Sequence, residues 1–422
     1  VSELSRVERR VLDAVDEDEL VRDLVALVRV PSVTGSAAEA DALQLLARWY
    51  REAGLEVDLW QDDLAALGAS EDFPGTEAPR DEVWGLVGTS PGEGSPGLVL
   101  QGHVDVVPPG EAALWAGGEA FSGRVEGGWL HGRGACDMKA GLLAGLAVAR
   151  ALHRSGARTE RPLALHAVVS EEDGGLGAVA TLRRGHRGDA CVIAEPTGGR
   201  LLVANAGALT FRLEVPGRAA HGSTRHEGSS ALEAFWPVHD AVRRLETRRN
   251  EAVPALFAGN PLPYAISIGT VVAGGWASTV PDLLVAEGRM GVRLGEDPAA
   301  ARAALGAAVE EAAAGDPWLR EHPPRLTWPG GRFAPGRLPE GHPLAGEVAD
   351  AVVAVGGVRP VEAAAPYGSD LRLYAAAGVP TLQYGPGDVA LAHSTREAVP
   401  VDEVLAVARA LTVLAVRRLG AR

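Results

Sequence analysis

His103, Asp137, Glu171, Glu172, Glu195 and His393 are the residues of this chain whose types and settings could do chemistry together. Four of the six stand beside glycine, proline or a second acid at the end of an apolar run. In α/β proteins reactive groups collect at such strand ends, where rigid sheet gives way to variable loop. Two histidines and three carboxylates form a nitrogen–oxygen donor set that suits two borderline divalent cations such as zinc. Glu171 is then left to move protons.

Taken singly, each position allows a plainer reading. His103 and Asp105 point the same way if their segment is extended. A carboxylate there can accept the far N–H of a metal-bound imidazole, or it can be a turn acid beside an incidental histidine. Asp137 lies in a glycine-flanked loop that leads into a helix. One carboxylate can offer an oxygen to each of two cations, though an Asp in this setting also serves as an N-cap. Glu171 and Glu172 project in opposite directions, so one could bind a cation while the other faces an attacking water. They could equally be a solvated loop pair. Among 40 lysine and arginine residues there is one lysine, Lys139, two positions after Asp137. A coding bias that put arginine everywhere else spared it, unless it survived by chance. Cys136 is either a soft ligand or a packed small residue.

The elements that must position these groups follow from pattern. Ser36 and Glu39 have capping-box spacing, which predicts a helix to about Glu52. Buried strands are predicted over 97–102, 162–170 and 190–194, and a helix over 139–153. Strands alternating with helices imply a largely parallel sheet with covered faces. Near Asn205 the style changes. The alternation over 209–215 reads as a half-exposed antiparallel strand. Helix 230–247, strands 265–272 and 283–294, helix 298–314 and strand 325–328 complete a β-α-β-β-α-β unit. Helix 342–355, strand 380–384 and a final helix from Val401 resume the first style. The expected organisation is an α/β catalytic domain (1–205 and 330–422) with a mostly parallel central sheet and an inserted α+β domain (206–329). Long loops at 61–82 and 251–263 are candidates to border the site.

Composition narrows the options. With 422 residues and 46% hydrophobic content, the chain can fill two cores. A net charge of −15 argues against nucleic acid or an anionic membrane as partner. Two cysteines, Cys136 and Cys191, fit a reducing cytosol. The first ten residues hold no apolar h-region, and no stretch approaches the ~18 apolar residues of a membrane span.

The motifs jointly resemble a known family. Gly102, His103, Val104 and Asp105 are followed by Trp115, Phe121, Gly128, then Gly132, Arg133 and Gly134, then Asp137, Met138 and Lys139. Glu171 and Glu172, Glu195 and Pro196, Ala220 to Gly222, and His393 follow in order. The set is similar to the co-catalytic zinc amidohydrolases, which include acetylornithine deacetylase, succinyl-diaminopimelate desuccinylase, aminoacylase and carboxypeptidase G. The resemblance implies a phosphorylase/hydrolase-like catalytic domain with a ferredoxin-like lid and dimerisation domain. It implies two Zn2+, replaceable by Co2+ or Mn2+. His103 and Glu195 would hold one ion, Glu172 and His393 the other, and Asp137 would bridge them. Asp105 would orient His103, and Glu171 would be the general base. A cis peptide is implied after Asp137. His221 would stabilise the oxyanion across a homodimer interface. Arg289 would grip a substrate carboxylate, with structural pairing to Glu287 or Glu296 as the alternative. Gly368 and Ser369 would offer backbone donors, with Asp370 and Arg372 free to pair. Many relatives carry Asn where this chain has Ser278, so contacts transferred to that place are in doubt.

The expectation is a cytoplasmic dizinc deacylase that acts on a small N-acyl amino acid or related amine. A dipeptidase or carboxypeptidase and a formylaminopyrimidine deformylase are the alternatives within the class. Outside it stand a non-catalytic binding protein on the same fold and a two-metal phosphoesterase, for which the motif flanks hold few basic residues.

Overall fold

The computed structural model describes residues 3–70 and 72–422. Outside them fall the first two positions of the segment read as lacking an h-region, and residue 71 of the 61–82 loop. The chain divides into two compact units, one formed by 1–204, 337–363 and 369–422, the other by 205–336 and 364–368.

In the first unit the central strands are Leu163–Val168, Leu98–His103, Cys191–Pro196 and Thr381–Gly385, side by side and parallel. The first three are buried at every residue, which is why they read as unbroken apolar runs rather than alternations. Two strands the sequence reading left unassigned, Glu56–Gln61 and Trp84–Thr89, extend one side antiparallel. The helix Ala140–Ser155 is buried on nearly every face. It packs between the sheet and the last helix, Val401–Arg418. It ends at Gly156, whose positive φ lets the chain turn off the helix.

The expected capping box at Ser36 and Glu39 is not formed. The helix runs Ala38–Glu52 behind Ala37, with no side-chain cap. Glu39 is occupied elsewhere: it accepts from the Gly35 N–H at 3.1 Å and pairs with Arg80 at 3.1 Å. The capping box that does form lies at Ser5 and Glu8, opening the helix Arg6–Leu12. A second helix, Glu17–Val28, follows it.

The second unit is an antiparallel sheet in the order Ile266–Ala273, Leu283–Val292, Gly207–Pro216, Arg325–Thr327. Numbered along the chain this is 2-3-1-4, the ferredoxin-like arrangement. Alternate residues Leu209, Phe211, Leu213 and Val215 face the helices Ala231–Arg249 and Pro298–Gly315. Each such buried side chain contributes roughly 1.5–3 kcal/mol. Ser230 caps the first of these helices through the Glu233 N–H. Among the described residues no helix is long and apolar enough to cross a membrane.

Candidate metal centre

His103 closes the central strand and is 1% exposed. Its Nδ1 lies 2.8 Å from the backbone carbonyl of Asp105. A carbonyl only accepts, so Nδ1 carries a proton, and Nε2 is the ring nitrogen that faces the acids, able to donate to them or, once deprotonated, to bind a cation. The Asp105 carboxylate was expected to take that N–H. Instead it stands 3.6 Å from Nδ1. Its oxygens accept from the backbone N–H groups of Glu171 and Glu172, each at 3.2 Å, and from Thr34 Oγ1 at 3.0 Å. Asp105 therefore reaches His103 through its main chain and the two glutamates through its side chain.

Asp137 sits in an irregular turn that leads into the helix Ala140–Ser155, and the Asp137–Met138 peptide is cis. Its Oδ1 lies 3.3 Å from His103 Nε2 and its Oδ2 lies 3.4 Å from His393 Nε2. One carboxylate thus faces both histidines, one oxygen each. The turn is held by a residue the sequence reading missed. Glu397 is buried, and its Oε1 accepts from the N–H groups of Gly134, Cys136 and Asp137 at 2.9, 3.1 and 3.1 Å. Cys136 is buried and its thiol is directed at the Asp388 carbonyl, 3.4 Å away. Lys139, fully buried, donates from Nζ to the carbonyls of Leu27 and Val30 at 3.1 and 2.8 Å. These carbonyls stand at the C-terminal end of the helix Glu17–Val28, which a cation favours. Burial pushes the lysine down to about 7.

Glu171 and Glu172 follow Ser170, whose φ of 64° is unusual for a residue with a side chain. Ser170 donates to Asp173, and Asp173 accepts from the Glu77 and Ala78 N–H groups and pairs with Arg80. That part of the 61–82 loop therefore seats against the turn carrying the two glutamates. Arg372 donates to the Gly174 carbonyl at 2.5 Å and to the Ser369 carbonyl at 2.8 Å. Asp370 accepts from Gln101 at 2.9 Å. Ser369 is buried, and its Oγ accepts from the Leu371 N–H.

Glu195 ends its strand with Oε1 at 3.6 Å from His103 Nε2. The strand before it is closely approached by glycines of two neighbouring elements. A Cβ on either Gly141 or Gly385 would overlap the Ala194 carbonyl. His393 is held differently. It has a φ of 60°, a side chain 54% exposed, and Nε2 at 3.1 Å from Glu172 Oε2.

These groups perturb one another strongly. Burial raises Glu171 well above the ordinary carboxylate range; His103 opposes this, while Asp370, Glu172 and Asp137 reinforce it. Burial and Asp137 likewise raise Glu195. Burial works against the charge on Asp137, but hydrogen bonds to His103 and His393 hold it well below its usual value. Hydrogen bonds to Asp137 and Glu172 push His393 up to about 10. Anionic oxygens crowded against imidazole nitrogens are the pattern that a bound cation relieves. The donor atoms of His103, Glu171 and Glu195 lie within 4.8 Å of one another, as do those of His103, Asp137 and Glu172. The donor set and its spacing fit a metal ion.

The remaining predicted residues lie in the second unit. His221 is exposed. Its Nδ1 accepts from the Ser223 N–H at 3.2 Å, which leaves Nε2 to donate outward. Ser278 is its neighbour there, with its carbonyl accepting from the Gly222 N–H at 2.7 Å. Arg289 is half-buried and donates to the Pro366 carbonyl at 3.1 Å. Its two acidic candidates are paired elsewhere, Glu287 with Arg212 and Glu296 with Arg249. Gly368 packs against Phe333 so closely that a Cβ would overlap its ring.

Residues 99–417 match the family described as Peptidase family M20/M25/M40. The chain belongs to that family. It is 33% identical over 228 residues to a succinyl-diaminopimelate desuccinylase of Methylorubrum populi, a match covering 51% of this chain and 54% of the relative. The chain thus spans about half the length of the curated desuccinylases it matches. A second relative is matched almost end to end. This is an N-formyl-4-amino-5-aminomethyl-2-methylpyrimidine deformylase of Halalkalibacterium halodurans, 27% identical over 420 residues and covering 92% of each chain. Among solved structures, a tripeptidase of Staphylococcus aureus superposes with a TM-score of 0.74 at 18% identity, over 96% of this chain and 100% of its own. At that identity the likeness is one of fold.

Proposed function

We propose that this chain is a dizinc hydrolase that cleaves the amide of an N-acyl amino acid or related N-acyl amine. The observation that carries the reading is Asp137, whose two oxygens face His103 and His393 separately. His103 and Glu195 would hold one ion, Glu172 and His393 the other, and Asp137 would lie between them. Two such cations would polarise an amide carbonyl and make a shared water acidic near neutral pH. Glu171, raised by burial, then takes a proton from water and returns it to the departing amine nitrogen. Asp105 fixes the main chain of Glu171 and Glu172 at the correct reach. Glu171 also has a donor atom within 4.8 Å of those of His103 and Glu195. Its role as base rests on chemistry, because one acid must stay free to carry the proton.

We further infer a homodimer formed through the second unit, with His221 of one copy donating to the oxyanion in the other. The outward-facing Nε2 of His221 supports this. Arg289, with Ser278 and the Gly368–Ser369 backbone, is proposed to meet the substrate. Co2+ or Mn2+ is expected to replace Zn2+.

A deformylase of a small N-formyl amine is a second reading, favoured by the end-to-end match to the pyrimidine deformylase. Amine release from N-acetyl, N-formyl and N-succinyl amino acids, dipeptides and a formylaminopyrimidine, with and without chelator, separates the two. Chelator-sensitive release from an acyl amino acid supports the first reading, and release from the formylaminopyrimidine alone supports the second. Hydrolysis that survives complete metal removal overturns both.

A further inference from the structure

Glu397 stands four residues beyond His393, yet its carboxylate reaches the turn that carries Asp137. It is 1% exposed. One oxygen collects three backbone donors of the same turn, at Gly134, Cys136 and Asp137. The other oxygen pairs with Arg133. Arg133 is itself braced. It donates to the carbonyls of Ser394 and Pro108, each at 3.4 Å, and its guanidinium lies 5.2 Å from the centre of the Trp115 ring. Main-chain bonds run in parallel with these contacts. The Gly132 N–H donates to the Glu397 carbonyl at 3.1 Å, and the strand Ala398–Pro400 pairs with Trp129–His131. The segments 129–137 and 393–400 are therefore stitched together, with Glu397 at the end of the seam nearest the cluster.

The arrangement matters because the two segments carry two of the converging groups. Asp137 comes from the seam's first strand side and His393 from its second, and their facing atoms are 3.4 Å apart. His393 has little else to hold it, since its side chain is 54% exposed and its backbone adopts a left-handed conformation. A carboxylate with three N–H groups on one oxygen and a guanidinium on the other has little freedom to move. We propose that Glu397, braced by Arg133, is a positioning residue that sets the spacing of Asp137 and His393. It thereby sets the affinity of the ion that these two and Glu172 would share. Glu397 itself touches no reacting atom.

This inference rests on the two-metal reading, so its test separates the two. Co2+ binding to metal-free protein is measured by calorimetry and by the visible absorption of the bound ion. The wild type is compared with Glu397→Gln, which keeps the shape but loses the charge. It is also compared with Arg133→Lys, a milder change that keeps the charge and loses the planar fork. Outer partners of metal ligands are typically worth 10- to 100-fold in affinity. Glu397→Gln should therefore weaken the ion that Glu172 and His393 would hold by about that factor, weaken the other ion less through the Asp137 they share, and alter the absorption of the more weakened ion. Arg133→Lys should weaken the same ion by a smaller factor, and it decides the matter if Glu397→Gln does not fold. Two ions bound with wild-type affinity and spectra in the variants that fold would overturn the positioning role and leave the metal centre standing. A wild type that binds no Co2+ would overturn the metal reading and this inference with it.

Discussion

The two histidines of the cluster face the same carboxylate but are built in opposite ways. His103 ends a strand that is buried on both faces, and its ring is closed in by Asp105 and Glu195. His393 sits on a loop, half in solvent, with a backbone conformation that few side chains adopt. One half of the site is fixed by the sheet, and the other by hydrogen bonds from a neighbouring segment. The difference teaches that fold stability and site geometry need not fail together. The sheet half should tie them, and the loop half should let them come apart.

The largest effect is expected between the halves. Glu171→Gln removes the proposed proton carrier and should lower amide hydrolysis by about 10²- to 10⁴-fold while both ions stay bound. Wild-type turnover in that variant, with metal content measured, would refute the assignment. The contrast between the halves comes next. His103→Ala leaves buried carboxylates uncompensated and should cost about 3–5 kcal/mol in urea unfolding of the metal-free protein. His393→Ala, at a half-exposed position, should cost about 1 kcal/mol or less. Equal losses would erase the distinction. Lys139→Met would leave the Leu27 and Val30 carbonyls with one donor fewer in a buried place and should cost about 1–3 kcal/mol. Lys139→Arg should cost a similar amount by overpacking, although it keeps the charge. A neutral result for Arg would mean that the site has room for the larger group.

The last test lies away from the cluster and concerns the sheet alone. His166 is buried in the strand Leu163–Val168 beside Tyr374, and burial lowers it from 6.5 to about 3. Below pH 6.5 the unfolded chain takes up a proton that the folded chain refuses until about pH 3. Stability from this residue is therefore lost as pH falls through that window, by about 1.4 kcal/mol per unit. His166→Gln should flatten that part of the stability profile. An unchanged slope would show that His166 is not the group responsible.

Much of this was legible in the residues. The strand-end positions of His103, Glu171 and Glu195 followed from apolar runs stopped by glycine, proline or a paired acid. The change from unbroken to alternating pattern near Asn205 marked the start of the second sheet. Other features had no local signature. Glu397 reads as one more loop acid, because its three N–H partners lie some 260 positions earlier in the chain. The Ser36 capping box had the right spacing but lost its glutamate to Arg80, a partner no local pattern can show. The role of Asp105 was half visible. Its face was predictable from strand geometry, but the choice between its carbonyl and its carboxylate was decided by the two N–H groups arriving from Glu171 and Glu172. Lys139 stood out only because nothing else in the chain is lysine.

The glycines at 141 and 385 bear on ionic radius. Glycine at both positions leaves room for the Ala194 carbonyl, so the strand leading to Glu195 packs closely against the helix Ala140–Ser155 and the strand Thr381–Gly385. An ion larger than zinc between His103 and Glu195 would meet this closely packed strand, whereas the ion that Glu172 and His393 would hold could be accommodated by a shift of the exposed imidazole. Discrimination by ionic size would then fall to the sheet side, while the loop side would tolerate the larger ion.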